Sequence, residues 1–216
     1  MEESSPREKI LASIRAALLH KASTDPLDVD FDSPVFHDPE ESLELVFAQQ
    51  FSELNGQFIF CENEEDFRYN IAALVQENKL EGLCCVEERI QKLIRDAGLN
   101  FSSSDNDPAK LQTGVTGCEY IVARTGSVVV SSQQLAGRRL AAYPDQHVVV
   151  AWTSQLVYNI RDAIKGIKAR YGENLPSMIS LISGPSRTAD IEKTLVQGAH
   201  GPKELFVFLI DDTPLA

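Results

Sequence analysis

The stretch Ile182-Ser183-Gly184-Pro185-Ser186-Arg187-Thr188-Ala189-Asp190-Ile191-Glu192 decides how this chain is read. The apolar run before it (Met178, Ile179, Leu181, Ile182) stops at Gly-Pro, and hydroxyls, one arginine and a helical pattern follow. That order predicts a strand, a tight turn and a helix running to about Gln197. A helix start presents unpaired backbone N–H groups and the positive end of a dipole. Arg187 adds a fork of donors beside them, which suits a small anion, carboxylate or phosphate. The same chemistry closes any βα turn, so a purely structural role stands beside the binding role.

Outward from this segment the chain alternates. Residues 41–54 read as a helix with Leu43, Val46, Phe47 and Phe51 inward, Phe58–Cys61 as a strand and 64–78 as a helix. Gly82–Val86 is a short strand, followed by a helix to about Asp96. Such alternation argues for βαβ units and a parallel sheet. Residues 102–110 break the pattern. Tyr120–Ala123 and Ser127–Ser131 read as two strands flanking Arg124-Thr125-Gly126, a turn in which Gly126 takes φ > 0. A short helix (133–140), a buried strand (His147–Trp152), a helix (Ser154–Arg170) and a last strand (Leu205–Ile210) complete the expectation: an α/β fold, layered, with a mostly parallel sheet and an antiparallel insertion.

The N-terminal part differs. Residues 7–20 carry Ile10, Leu11, Ile14, Ala17 and Leu18 on one helical stripe, and 21–40 are acidic and broken by Pro26, Pro34 and Pro39. Residues 1–40 are therefore expected to be a helix and flexible linker, and 41–216 the main domain.

The formal net charge of the 216 residues is -12. Between Lys21 and Arg68 there are thirteen acids and no Lys or Arg, so the remainder of the chain is close to neutral. Such a surface disfavours nucleic acid and anionic lipid, the local pair Arg138-Arg139 excepted. The acidic run reads either as a solvated face or as a docking face for a basic partner. No apolar stretch approaches the roughly 20 residues of a membrane span and no secretory h-region opens the chain, so a cytoplasmic protein without membrane insertion is expected. Cys61, Cys84, Cys85 and Cys118 form no CxxC, and the four histidines follow no ligand spacing. No metal and no cofactor is expected on this chain.

GPSRTADIE, the turn Thr125-Gly126-Ser127 and Gly198-Ala199-His200-Gly201-Pro202 together resemble the signature of the LUD domain family, in its lactate utilization protein C (LutC/YkgG) branch. The likeness is clearest from Thr113 to Asp211. One position departs from it: the family commonly has an acid before its Thr-Gly, and Arg124 stands there. The resemblance implies the fold of ribose-phosphate isomerases, glucosamine-phosphate isomerases and CoA transferases (NagB/RpiA/CoA-transferase-like). It also implies a bacterial, non-redox component of L-lactate oxidation to pyruvate, partnered by LutA-like and LutB-like iron–sulfur proteins. That component would bind a small anion or organise its partners, and would not be catalytic alone. The alternatives are an independent isomerase or acyl/CoA-transferase-like enzyme, or a ligand-sensing or assembly module without turnover.

In open α/β sheets ligands sit beyond the carboxyl ends of the strands. The candidate ligand-binding residues are Thr125, Gly126, Ser127, Ser183, Gly184, Ser186, Arg187, Thr188 and Asp190. Glu119 and His200 are the catalytic candidates. Glu119 is an acid in a strand, against local preference, and His200 is a loop histidine with little bulk around it. Each also has a structural reading: Glu119 facing water, His200 bridging a helix end to the final strand.

Overall fold

The computed structural model describes residues 6–19, 39–104, 111–136, 138–191, 194–197 and 201–213. The chain divides into two compact units, Met1–Asp38 and Pro39–Ala216. The described element of the first is helix α1 (Pro6–Leu19).

The second unit is built on a five-stranded, wholly parallel sheet in the order β1-β11-β6-β3-β2. Its strands are β1 (Gln57–Cys61), β2 (Leu83–Cys84), β3 (Thr113–Thr116), β6 (Gln146–Trp152) and β11 (Glu204–Ile210). The central strands are apolar on both faces, as parallel strands must be when both sides are covered. Val148, Val150, Phe206, Phe208 and Ile210 point to one layer, which holds helices α3 (Glu64–Glu77) and α4 (Glu88–Asp96). Val149, Ala151, Leu205, Val207 and Leu209 point to the other. Asn63 starts α3 by accepting the N–H groups of Glu65 and Asp66, both at 2.9 Å, and three acids fill the first turn.

The second layer is a four-stranded sheet, β7-β4-β5-β8, joined by helix α2 (Leu43–Glu53). Its strands are β4 (Tyr120–Val122), β5 (Ser127–Ser131), β7 (Leu156–Val157) and β8 (Ile179–Ile182). β4 and β5 form the expected hairpin, with Val122 paired to Ser127, and β8 runs antiparallel to β5. Ile121, Val128 and Val130 face the parallel sheet, whereas Val122 and Val129 face helix α5 (Ile160–Tyr171) through Ala163 and Ile167. The result is four layers: helices, parallel sheet, mixed sheet with α2, and helix.

Three expectations are corrected. The helix expected after the Gly184 turn and running to about Gln197 is instead a pair of antiparallel strands, β9 (Arg187–Ile191) and β10 (Thr194–Gln197), with Val196 opposite Thr188 and Gln197 opposite Arg187. Thr188, Ile191, Thr194 and Val196 are β-branched, and in a two-stranded pairing that preference outweighs the acidic helix-start cue. The helix expected at 133–140 is a set of turns over its described residues. There Ser131 Oγ accepts the Gln133 N–H (3.1 Å) and Gln134 Oε1 accepts the Ser131 N–H (3.0 Å), local bonds that compete with a helix. The helix expected from Ser154 begins only at Ile160, because Gln155 locks the preceding turn. Its Oε1 accepts from Trp152 N (2.9 Å) and its Nε2 donates to the Cys118 carbonyl (2.6 Å).

Candidate functional site

The signature turns converge, but on the protein itself. Residues Ala123–Thr125 make one short 3-10 turn, closed by Gly126 at φ 53°. A Cβ at Gly126 would lie 2.6 Å from the Phe51 nitrogen and the Gln50 carbonyl carbon, inside the backbone of α2. Gly184, at φ 82°, is in the same position: a Cβ there would lie 2.7 Å from the Leu54 carbonyl oxygen. Both glycines are thus required for close approach to the C-terminal end of α2. Arg187, exposed at the start of β9, donates from Nη2 to that same Leu54 oxygen at 3.1 Å. One of the helix's last carbonyls is satisfied in this way.

The hydroxyls join the turns to one another. Ser127 is buried, and its Oγ donates to the Thr125 carbonyl (3.0 Å). Its single proton is then engaged, so the 2.8 Å contact with Ser183 Oγ has Ser183 as donor. Ser186 N donates to the Pro202 carbonyl at 2.8 Å, tying the 183–187 turn to the loop before β11. Thr125 Oγ1 is enclosed without a partner among the described residues. The backbones of Thr188 and Asp190 lie in β9. Their side chains, and His200 altogether, lie outside the described residues. With a strand in place of the expected helix, the N-terminal dipole invoked for anion binding at Ser186–Asp190 does not exist.

Glu119 lies elsewhere. It follows β3 and precedes β4, and it is 1 % exposed, so the expectation that it might simply face water is corrected. Its Oε1 accepts from Ser131 Oγ (2.6 Å) and Tyr171 OH (2.7 Å), and its Oε2 pairs with Arg170 Nη1 at 2.6 Å. Burial, followed by the Glu119 carboxylate, raises the Tyr171 phenol above its ordinary value. The neighbouring Glu87 accepts the Gly117 N–H at 3.0 Å. Its carboxyl is pushed up chiefly by burial, with the charge of Glu119 adding to the effect. Ser131 and Ser127 are the two ends of β5, so Glu119 and the Ser127–Ser183 contact are separated by about 13 Å of strand. An acid–base partnership between Glu119 and the Arg187 turn is not what this geometry builds.

In sequence Glu119 stands out as an acid in an expected strand, whereas its partners Arg170, Tyr171 and Ser131 and its neighbour Glu87 carry no such signal. They come from α5, β5 and the turn before α4, and only folding brings them together. The cysteines are all buried and free. Burial pushes the Cys61 and Cys85 thiols up to about 12 and raises Cys118 as well. Among the described residues no group of three His, Cys, Asp or Glu is placed to hold a metal ion. Nor is any helix among them long and apolar enough to cross a membrane.

The chain belongs to the LUD domain family, whose model matches residues 45–210 and so spans nearly all of the four-layer unit. It is 36% identical over 118 residues to lactate utilization protein C 1 of Bacillus mycoides, a match covering 53% of this chain and 50% of that protein. It is 38% identical over 101 residues to lactate utilization protein C of Halalkalibacterium halodurans (46% and 44% covered). It is 36% identical over 103 residues to the uncharacterized protein YkgG of Escherichia coli (47% and 45% covered). The matched region thus spans about half the length of these relatives. A crystal structure of a DUF162 family protein from Deinococcus radiodurans shares the fold, with TM-score 0.57 and 20% identity, covering 78% of this chain and 96% of that one.

Proposed function

We propose that this chain is a LutC-like, cytoplasmic, non-redox component of a bacterial system that oxidises L-lactate to pyruvate, and that it organises LutA-like and LutB-like iron–sulfur partners. The observation that carries the reading is the family match over residues 45–210, which spans nearly all of the four-layer unit, together with relatives named lactate utilization protein C. On this reading the fold belongs with the ribose-phosphate isomerase, glucosamine-phosphate isomerase and CoA transferase group.

Between the two roles open at the level of sequence, anion binding at the signature turns and organisation of partners, the geometry favours organisation. Gly126, Gly184 and Arg187 brace the end of α2, so these residues shape a surface rather than line a site. The thiols support placing the redox centres on the partners: Cys61, Cys85 and Cys118 are buried and held protonated. An independent isomerase or acyl transferase would need Glu119 beside the Arg187 turn, and Glu119 is instead tied to Ser131, Tyr171 and Arg170.

The test is reconstitution. The tagged chain co-purifies with LutA-like and LutB-like proteins, and lactate-dependent dye reduction by the mixture falls when the chain is omitted. Strong lactate-dependent dye reduction by the purified, colourless chain alone overturns the proposal.

A further inference from the structure

A second basic site lies away from the signature turns. Where β5 leaves the mixed sheet and the chain later returns to β8, Ser132, Gln133, Arg138, Arg139 and Ser177 line an open cavity of about 520 Å³. Leu135 and Leu175 form its apolar walls, 75% and 46% exposed. The polar side is built rather than incidental. Met178 N donates to Ser132 Oγ (3.2 Å), Ser132 Oγ and Ser177 Oγ share a hydrogen bond (3.1 Å), and Arg138 Nη2 donates to Ser177 Oγ (2.9 Å).

The corner combines two adjacent cations with a bonded pair of hydroxyls. Arg170, by contrast, is paired with Glu119, Lys203 with Asp145 and Arg89 with Glu64, and Arg187 donates to the Leu54 carbonyl. Among the described residues neither Arg138 nor Arg139 meets a carboxylate, although the chain as a whole carries a net charge of -12. Arg138 donates to this hydroxyl pair and Arg139 lines the same cavity, so two guanidinia and two hydroxyls border one concave surface, a set of groups that suits carboxylate and phosphate oxygens.

We propose that this corner binds a small organic anion. Its carboxylate or phosphate group sits on Arg138, Arg139 and the Ser132–Ser177 pair, and a short apolar stem lies against Leu135 and Leu175. The site does not depend on the lactate reading, and it differs from the signature turns in both position and chemistry. A free small molecule fits better than an anionic lipid surface, which the acidic remainder of the chain repels.

The experiment is a titration of the 15N-labelled full chain with inorganic phosphate, acetate and butanoate, followed by amide shifts. Saturable shifts centred on Ser132, Gln133 and Ser177 are expected, with butanoate tighter than acetate by up to roughly fourfold per methylene. The double variant Arg138→Gln/Arg139→Gln, with its spectrum otherwise intact, weakens phosphate binding by about tenfold or more. Ser177→Ala, which keeps both charges, weakens it less, and Arg187→Gln leaves it unchanged. The proposal is overturned by any of four results: no saturable shift with any of the three probes, shifts centred on Ser183–Arg187, undiminished binding by the double variant, or association only with vesicles of anionic lipid.

Discussion

The turn at 183–187 and the corner at 132–139 hold nearly the same residue types, and the fold uses them in opposite ways. Each has serines, a guanidinium and a strand end. In the first, Arg187 donates to the Leu54 carbonyl, Gly184 abuts the same oxygen, and Ser183 donates into the Ser127–Thr125 network. In the second, Arg138 donates to the Ser177 hydroxyl, and Arg138 and Arg139 both line a cavity. Donors already bonded to their own backbone hold a fold together, and donors left at a concave surface are available to a ligand. Residue type alone does not separate the two cases.

The sharpest way to break this comparison is Gly126→Ala. A methyl group there meets α2 backbone that cannot move aside, at a φ that alanine avoids, so a loss of about 3 kcal/mol or more is expected in urea unfolding. A loss below about 1 kcal/mol would mean that the turn is not braced on α2. Glu119→Ala comes next. It strips Ser131 and Tyr171 of their shared acceptor and leaves Arg170 unpaired. Because the Arg170 side chain is 47% exposed, the cost is about 2–3 kcal/mol rather than that of a fully buried pair.

His147 is a buried titratable group with one ring nitrogen left over. Its Nε2 contacts Thr116 Oγ1 at 2.8 Å, its Nδ1 has no partner among the described residues, and burial lowers its pKa to about 4. The unfolded chain takes up this proton near pH 6.5 and the folded chain only near 4, so stability falls as pH falls through that window. The loss amounts to roughly 3 kcal/mol in all. Glu87, raised by burial, works in the opposite sense: the folded state keeps its proton above the ordinary carboxyl range. Urea melts between pH 7 and 4 should steepen with the native histidine and flatten in His147→Gln. Equal slopes would remove His147 as the cause.

Smaller effects sharpen the contrast. Arg187→Ala loses one exposed hydrogen bond to a neutral carbonyl and should cost about 0.5–1 kcal/mol. Arg138→Gln/Arg139→Gln should change stability by less than about 0.5 kcal/mol, because among the described residues these side chains hydrogen-bond only one serine. If the ranking of these two were reversed, the bonded turn and the open corner would have to exchange roles.

Much of the fold was legible in sequence. Long apolar strands such as β6 and β11, and helices with a clear stripe such as α2 and α3, announce themselves because burial on one or both faces imposes a period. Strand β3, Thr113–Thr116, was not anticipated: Thr-Gly-Val-Thr is short and has little apolar character of its own. The helix expected after the Gly184 turn is absent because its cues are local, whereas a β pairing is a relation between two segments. Ser127, Ser183, Ser186 and Arg187, grouped in sequence by the signature turns, lie in loops joined by hydrogen bonds. What they bond to could not be read, because Gln50–Leu54 stands more than a hundred residues away from Gly184 and Arg187.

The sequence by itself determined the layered α/β class, the acidic surface and the signature that marks the family, since each follows from composition, periodicity or a run of neighbouring residues. Only the tertiary structure decided which cations are neutralised and which stay open, and that Glu119 lies inside with three partners. A hydrogen bond depends on distances between groups far apart in the chain, and those distances exist only once the layers have packed.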